Sequence, residues 1–595
     1  MMKTVGAHKY HDADICIIGG GMSGLVAAVA AARHGSKVIL MHDRPVLGGN
    51  ASSEIRMWIR GAAGKDNRET GILQEIELEN IYRNPTMNYS VWDTVLHQMI
   101  LQEDNITLLL NCSCLGCEMD GEKIGSVTGW QLNSYTFHTV RATIFMDCSG
   151  DSILAELSGA AYRAGRESRE EFGEYAAPEV ADRCTMGSSC LIEARKTDHI
   201  CTFTPPEWAY TYPDDESMYL KNHDIIGTGV NFWWIELGGE MDTIHDAQTI
   251  NEELIKTAYG VWDHIKNHGD HGMENWELEW IGFLPGKRES RRYEGEYILT
   301  QQDLEEGHTF DDAVAFGGWT MDNHNPKGFK YLGYSSHHIA VKVPYQIPFR
   351  CLYSRNVPNL MFAGRNISAT HMAMSSTRVM ATCAVIGQAA GTGAALAISK
   401  KCAPAEVTVL HMDQLQQQLL EDGCFIPGLN RSISGNIRFD LTSAETEILN
   451  NGWDRPHDGN ANTVMRPDGS SLTMTLSEPA SALRLALDPD FSRDSISIHS
   501  KYQKFAMRTH IDENTAVSMP KNLLKGCTVT AQTPDGIQSW KIENNRQSLL
   551  YIPLSEDTHR VTLENLESWG GEQTGIFSCD TICPGKEVFH ANQPQ

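Results

Sequence analysis

Three glycines, Gly19, Gly21 and Gly24, stand in G-x-G-x-x-G spacing inside ADICIIGGGMSGLVAAVAAARHG. Glycines in that pattern let the backbone approach a pyrophosphate, and a helix opening just behind them turns its N-terminal N–H groups toward the charge. The context makes the spacing specific. An apolar run precedes it, an Ala-rich helical stretch follows, and KVILM reads as a second strand. A carboxylate beyond that strand would accept from ribose hydroxyls, and Asp43 stands nineteen residues after Gly24. Directly after KVILM, where many such sites carry Glu, the residue is His42, so Asp43 is expected to share the ribose with backbone groups. Dinucleotide binding is the chemistry these residues imply.

Other reactive side chains gather further along. PGKRESRRYEGEYILTQQD, residues 285–303, concentrates Lys287, Arg288, Arg291 and Arg292 in an acidic chain. Because Glu289, Glu294 and Glu296 alternate with them, the stretch either braces the fold through ion pairs or sends Arg291 or Arg292 into a cleft to orient a substrate. GGWTMDNHNP offers Asp322 and His324 in a turn-rich loop suited to proton transfer. His264, His268 and His271 in DHIKNHGDHG invite a metal reading, but no HExxH glutamate accompanies them and Gly269 reads as a helix cap, so no metal is expected. Seven of the thirteen tryptophans fall between residues 160 and 345. They read as core or as a ring-stacking surface, and the pair Trp233–Trp234 would put one ring on each face of a strand.

These residues need several domains to position them, since 595 residues exceed what one core organises. Residues 1–160 read as the first part of a Rossmann-type α/β domain and 346–410 as its return. Residues 161–345 form an inserted α+β substrate domain, 411–465 a helix and linker, and 466–595 a β-sandwich of period-two strands. The formal charge of −27 opposes nucleic-acid binding. No apolar run approaches the ~18 residues of a membrane span. The first residues show no export signal, and fifteen scattered cysteines, Cys112, Cys114 and Cys117 among them, suit reduced thiols in a cytoplasm.

Four motifs in order carry a resemblance. Besides the glycine turn, these are RPVLGGNASSE, the strand-and-turn TIFMDCSGDSILAELSGA, and NLMFAGR with the later GQAAG. Together with GKRESRR they resemble the FAD-dependent oxidoreductase family of the glutathione-reductase-like flavoproteins, with distant likeness to fumarate-reductase-type and tRNA-uridine-modifying flavoproteins. The resemblance covers residues 12–400. It implies FAD, with pyrophosphate contacts at Gly19, Gly21, Met22, Ser23 and Gly24. Asp43, Arg44 and the backbone near Cys114 would hold the adenosine. Gly49, Asn50, Ser52 and Ser53 would lie along the isoalloxazine, Gly150 and Asp151 near pyrophosphate and ribityl, and Gly364, Arg365 and Asn366 at the ribityl end. Arg365 stands where the family has Asp or Glu.

In GRNISATHMAMSSTRVMATC, a helix starting near Ser375 would aim its N-terminus at the flavin, with His371 and Arg378 at its entrance. His371 or His324 would move the proton, Arg378 would orient the substrate, and Trp233, Arg291 and Arg292 would line its site. The expected partner is a polar small molecule, such as a carbohydrate CH–OH group or an acidic C=C substrate. The electron acceptor is left open, and a homo-oligomer is allowed. A flavoprotein of RNA modification is the non-redox alternative.

Overall fold

The computed structural model describes residues 6–64, 66–221, 232–491 and 518–584. The apolar end of ADICII drives the first element. Strand β1 (Ala7–Ile18) is exposed over its first half and wholly buried from Ile15 to Ile18. It pairs in parallel with β2 (Val38–Met41) on one side and with β6 (Thr136–Asp147) on the other, while β2 pairs with β3 (Ile106–Leu109). Burial on both faces explains why β2 is apolar throughout rather than alternating.

The outer edge of β6 is divided between two neighbours. Its first half pairs antiparallel with β5 (Lys123–Gln131), which continues into β4 (Cys112–Asp120) as a meander. Its last three residues pair in parallel with the strand Leu360–Phe362. The chain therefore leaves the sheet after Asp147 and returns beside it at Leu360.

Helix α1 (Met22–Arg33) is buried at every position and packs on the helix Met380–Lys400. A Cβ on Gly387 would lie 2.2 Å from the Ser23 carbonyl, and one on Gly391 2.3 Å from that of Ala27. Glycine at these two positions is what lets the helices touch backbone to backbone. Both contacts advance in the same direction, so the helices run parallel. By length and composition Met380–Lys400 could cross a membrane, yet 94% of its apolar window is buried inside the protein.

The excursion after β6 builds a second core around Phe232, Trp262, Trp276 and Phe329, under the long helix Ala247–Asn267. Its tryptophans divide: Trp262 and Trp276 are core, Trp208 is exposed, and Trp233 and Trp319 line a cavity. Toward the C-terminus lie two antiparallel sheets, one beginning with Ile437–Phe439 and the other with Val464–Pro467. The first sheet thus recruits a strand from the stretch read as linker. Residues 492–517 and 585–595 of the expected sandwich lie outside the described residues.

This module is clamped to the first domain. Nη2 of Arg455 donates to the carbonyls of Asp66 (2.6 Å) and Arg68 (3.0 Å) while its guanidinium lies 3.9 Å from the Phe425 ring. Arg546 pairs with Glu79, and Ser548 donates to Gln74.

Candidate functional site

A cavity of about 850 Å³ runs from the glycine turn to the inserted domain. Its first end is backbone. Gly19 has φ +102°, and a Cβ there would sit 2.4 Å from the Cys148 carbonyl; a Cβ on Gly24 would overlap the Gly19 carbonyl. Gly21 differs, because a Cβ on it would meet nothing closer than 3.9 Å and would project into open space beside Gly49. The first two glycines close the turn and the third opens it to a ligand. No side chain caps α1, so its N-terminal N–H groups face the cavity beside Met22 and Ser23.

His42 explains the missing Glu. The Gly20 N–H donates to its Nδ1 at 2.9 Å, and its Nε2–H donates to the Val46 carbonyl at 3.0 Å. Burial lowers its pKa to about 4, so the ring is neutral. It holds the turn from behind, while the exposed Asp43 and the half-buried Arg44 line the cavity.

Arg365 answers a second departure. Its Nε donates to the Gly150 carbonyl (2.9 Å) and its Nη2 to Asp151 (2.9 Å). Lys287 Nζ (2.7 Å) and Ser290 Oγ (2.8 Å) complete the shell around that carboxylate. Burial alone would raise Asp151; Arg365 and Lys287 outweigh it and hold the group at about 2. An acid, Asp151 of the D-x-[ST]-G-D turn, thus stands beside the residue after Gly364, with Arg365 as its counter-ion. Asp147, the first acid of that turn, accepts from Ser149, Leu154 and Tyr293 and is structural.

The far end collects charge from five segments. His324 Nδ1–H donates to Glu236 at 2.6 Å, and its Nε2 stands 3.3 Å from Asp322. Arg288 approaches Glu236 (3.5 Å), and Arg378 donates to the Asp322 carbonyl (3.0 Å). Ser336 donates to Asp322 as well, and His338 lies 3.7 Å from it. Burial would raise both acids, but Arg288 and His324 hold Glu236 at about 2, and His324 and Arg378 hold Asp322 well below the carboxylate range. Arg60 lies against the Trp58 and Trp319 rings, and burial lowers its pKa to about 10. Trp233 and Tyr334 complete this end.

The helix expected from Ser375 begins later. Ser375 lies in the short helix His371–Thr377; the chain breaks at Arg378, and the long helix starts at Met380. Val379, Met380 and Cys383 line the cavity, so an uncapped N-terminus does face it. That end projects seven residues, or ~10 Å at 1.5 Å per residue, beyond the contact with Ser23.

Several expected contacts are corrected. His371 does not line the cavity: it is 2% exposed, with Nδ1 3.0 Å from Glu289 and Nε2 3.0 Å from Asn323. Arg291 and Arg292 also face away, because the strand Arg291–Tyr293 pairs with Tyr162–Ala164. Arg292 is consumed by Glu167 and the carbonyls of Gly165 and Ala369, and Arg291 approaches Glu156. From that basic stretch Lys287 and Arg288 reach the cavity instead. Ser52 turns back to the Gly49 carbonyl, and the Ser53 N–H is taken by Asp93. Gly24, Asn366 and Cys114 support the wall without lining it. Gly19, Gly21, Met22, Ser23, Asp43, Arg44, Gly49, Asn50, Gly150, Asp151, Gly364, Arg365, His324, Arg378 and Trp233 all line it. Glu236, Arg60 and His338 were not foreseen; they carry no motif, and only tertiary contact brings them together.

A parallel sheet whose glycine turn meets a helix N-terminus, with a second helix N-terminus farther along the same cavity, defines a dinucleotide-binding flavoprotein. Residues 14–419 match the family model for FAD dependent oxidoreductase, and the chain belongs to that family. It is an oxidoreductase with FAD as its cofactor, as the four motifs implied. No curated protein matches it in sequence. Among solved structures it is similar to a geranylgeranyl bacteriochlorophyll reductase-like protein from Thermoplasma acidophilum, at 13% identity and TM-score 0.31, over 70% of this chain and 85% of that one. It is also similar to the E. coli quinol fumarate reductase FrdA, at 12% identity and TM-score 0.26, over 69% and 75% of the two chains. The flavin-dependent brominase Bmp2 matches at 10% identity and TM-score 0.32, over 69% and 85%.

Proposed function

We propose that the protein transfers a hydride between FAD and a CH–OH carbon of a polar small molecule, with His324 as the base for the hydroxyl proton. The observation carrying this reading is the Glu236–His324 pair at the cavity wall. Nδ1–H directed to Glu236 at 2.6 Å fixes the tautomer that leaves Nε2 as acceptor. Nε2 stands 3.3 Å from Asp322, and a substrate hydroxyl seated there would donate to Nε2 of the neutral ring. FAD supplies the hydride acceptor at N5 when bound. Arg378, anchored by Asp322, orients polar groups, and Trp58, Trp233 and Trp319 offer apolar faces of the kind a sugar ring covers.

Arg60 favours a second reading, reduction of a C=C bond in an acidic substrate. It is a half-buried guanidinium at the cavity with a lowered pKa, a character suited to binding a carboxylate or passing a proton. Anaerobic spectroscopy separates the two. Bleaching of the oxidised flavin by a panel of sugars and glycosides supports the first. Silence across that panel, with enoates reoxidising the photoreduced flavin, overturns it for the second.

A further inference from the structure

Outside the cavity, the inserted domain gathers a different donor set. The ligand atoms of Asp215, His264 and His271 all lie within 4.8 Å of one another. His264 sits near the end of the helix Ala247–Asn267, and His271 lies in the turn beyond it. Asp215 comes from a separate loop that packs back onto this helix. We propose that these three side chains form a binding site for a divalent cation of the zinc type, clipping that loop to the helix.

Three observations carry the assignment. His264 Nδ1–H donates to the Tyr212 carbonyl at 2.7 Å, which fixes the ring and commits Nε2 to the cluster. An outer hydrogen bond of this kind is what orients metal-bound imidazoles. His264 Nε2 stands 3.3 Å from Asp215 Oδ1, close to the ~3.3–3.5 Å edge of a tetrahedron built on ~2.0–2.1 Å bonds. The His264 and His271 rings lie tilted at 46° with centroids 4.9 Å apart, a juxtaposition that a shared cation makes favourable. Two imidazoles and one carboxylate select a borderline metal over magnesium or calcium, which prefer all-oxygen shells. His268 is not part of the set, because it turns to Asp263 at 3.1 Å.

The clip would brace the reaction cavity from outside. The Gly333 N–H donates to the Tyr219 carbonyl at 2.8 Å, and Lys221 donates to the carbonyls of Tyr331 (2.7 Å) and Gly333 (2.6 Å). The loop bearing Asp215 thereby supports the turn that presents Tyr334 to the cavity. The metal's role is structural, so stability and metal content report it rather than turnover.

The test uses full-length, tag-free, FAD-loaded protein stripped with EDTA, dialysed against zinc chloride and analysed by mass spectrometry for bound metal. Wild type is expected to retain about one equivalent, a structural site's occupancy, and to melt several degrees higher with zinc than without. Magnesium chloride is expected to change nothing. Asp215→Ala and His271→Ala, which spare the buried His264, should each lower retained zinc about tenfold, as ligand loss does, and abolish the zinc-dependent rise in Tm. Wild type holding no zinc after dialysis overturns the proposal, and so does either variant retaining zinc at the wild-type level.

Discussion

The Gly20 N–H and Nδ1 of His42 are 2.9 Å apart, so the residue that ends β2 locks the phosphate turn from its buried side. The lock works only while the imidazole is neutral. Its folded pKa of about 4 lies below the ordinary 6.5. Protonation is therefore easier in the unfolded chain, and the contribution is complete above pH 6.5. It declines as pH falls toward 4, by roughly 3 kcal/mol for a shift of this size. Tm and retained flavin should both fall between pH 6.5 and 4, and His42→Phe should weaken FAD binding at pH 7 and flatten that slope. Flavin retention independent of pH in the wild type would contradict this.

Glu236 positions His324 and does not itself line the cavity. Once a substrate bleaches the flavin, His324→Asn is expected to slow bleaching by roughly 10²–10⁴, the range of a lost general base. Glu236→Gln should cost less and move the pH profile of the rate, because the tautomer is no longer enforced. Both variants should keep their flavin. Unchanged bleaching by His324→Asn would remove it from the chemistry.

Gly387 and Gly391 admit no side chain against α1. Gly391→Ala should destabilise the protein by about 1–3 kcal/mol through overpacking, read as a lower Tm. Gly387→Ala strikes the carbonyl of Ser23, a cavity residue, so it should also release FAD. Equal flavin content in the two variants would show that the displacement does not reach the turn.

Arg455 lies within 3.9 Å of the Phe425 ring and within 5.0 Å of Phe491, and with the Arg68 bond to the Pro489 carbonyl it ties the C-terminal module to residues 66–68. Arg455→Met keeps volume but loses both bonds. Calorimetry should then resolve two unfolding transitions where the wild type shows one. A single transition at the wild-type temperature would mean that the remaining contacts, Arg546–Glu79 and Ser548–Gln74 among them, hold the module without Arg455.

The glycine turn was legible because strand, glycines and helix follow one another in the chain: Gly24 meets the Gly19 carbonyl five residues back, although Gly19 itself closes against Cys148 of a distant strand end. The far end was legible only in part: Asp322, His324, Arg378 and Trp233 stood out in their own stretches, but Arg60 and Glu236 come from other segments with no spacing to link them to these. His371 and His324 look alike in sequence, each a histidine in a polar stretch. Only the direction of the chain separates one that faces Glu289 in the interior from one that faces the cavity. The basic stretch divided for a similar reason. Lys287 and Arg288 precede the strand that carries Arg291 and Arg292 away.

The divided edge of β6 has a bearing on how such a protein changes over time. Phe145–Asp147 sit beside Leu360–Phe362, so the whole intervening excursion starts and finishes at adjacent points of a fixed sheet. Closing a longer or shorter excursion between anchored ends costs little, because loop entropy grows only with the logarithm of length. The excursion, which brings Trp233 and His324 to the cavity, can therefore be lengthened, pruned or exchanged while the strands around the glycine turn keep their register.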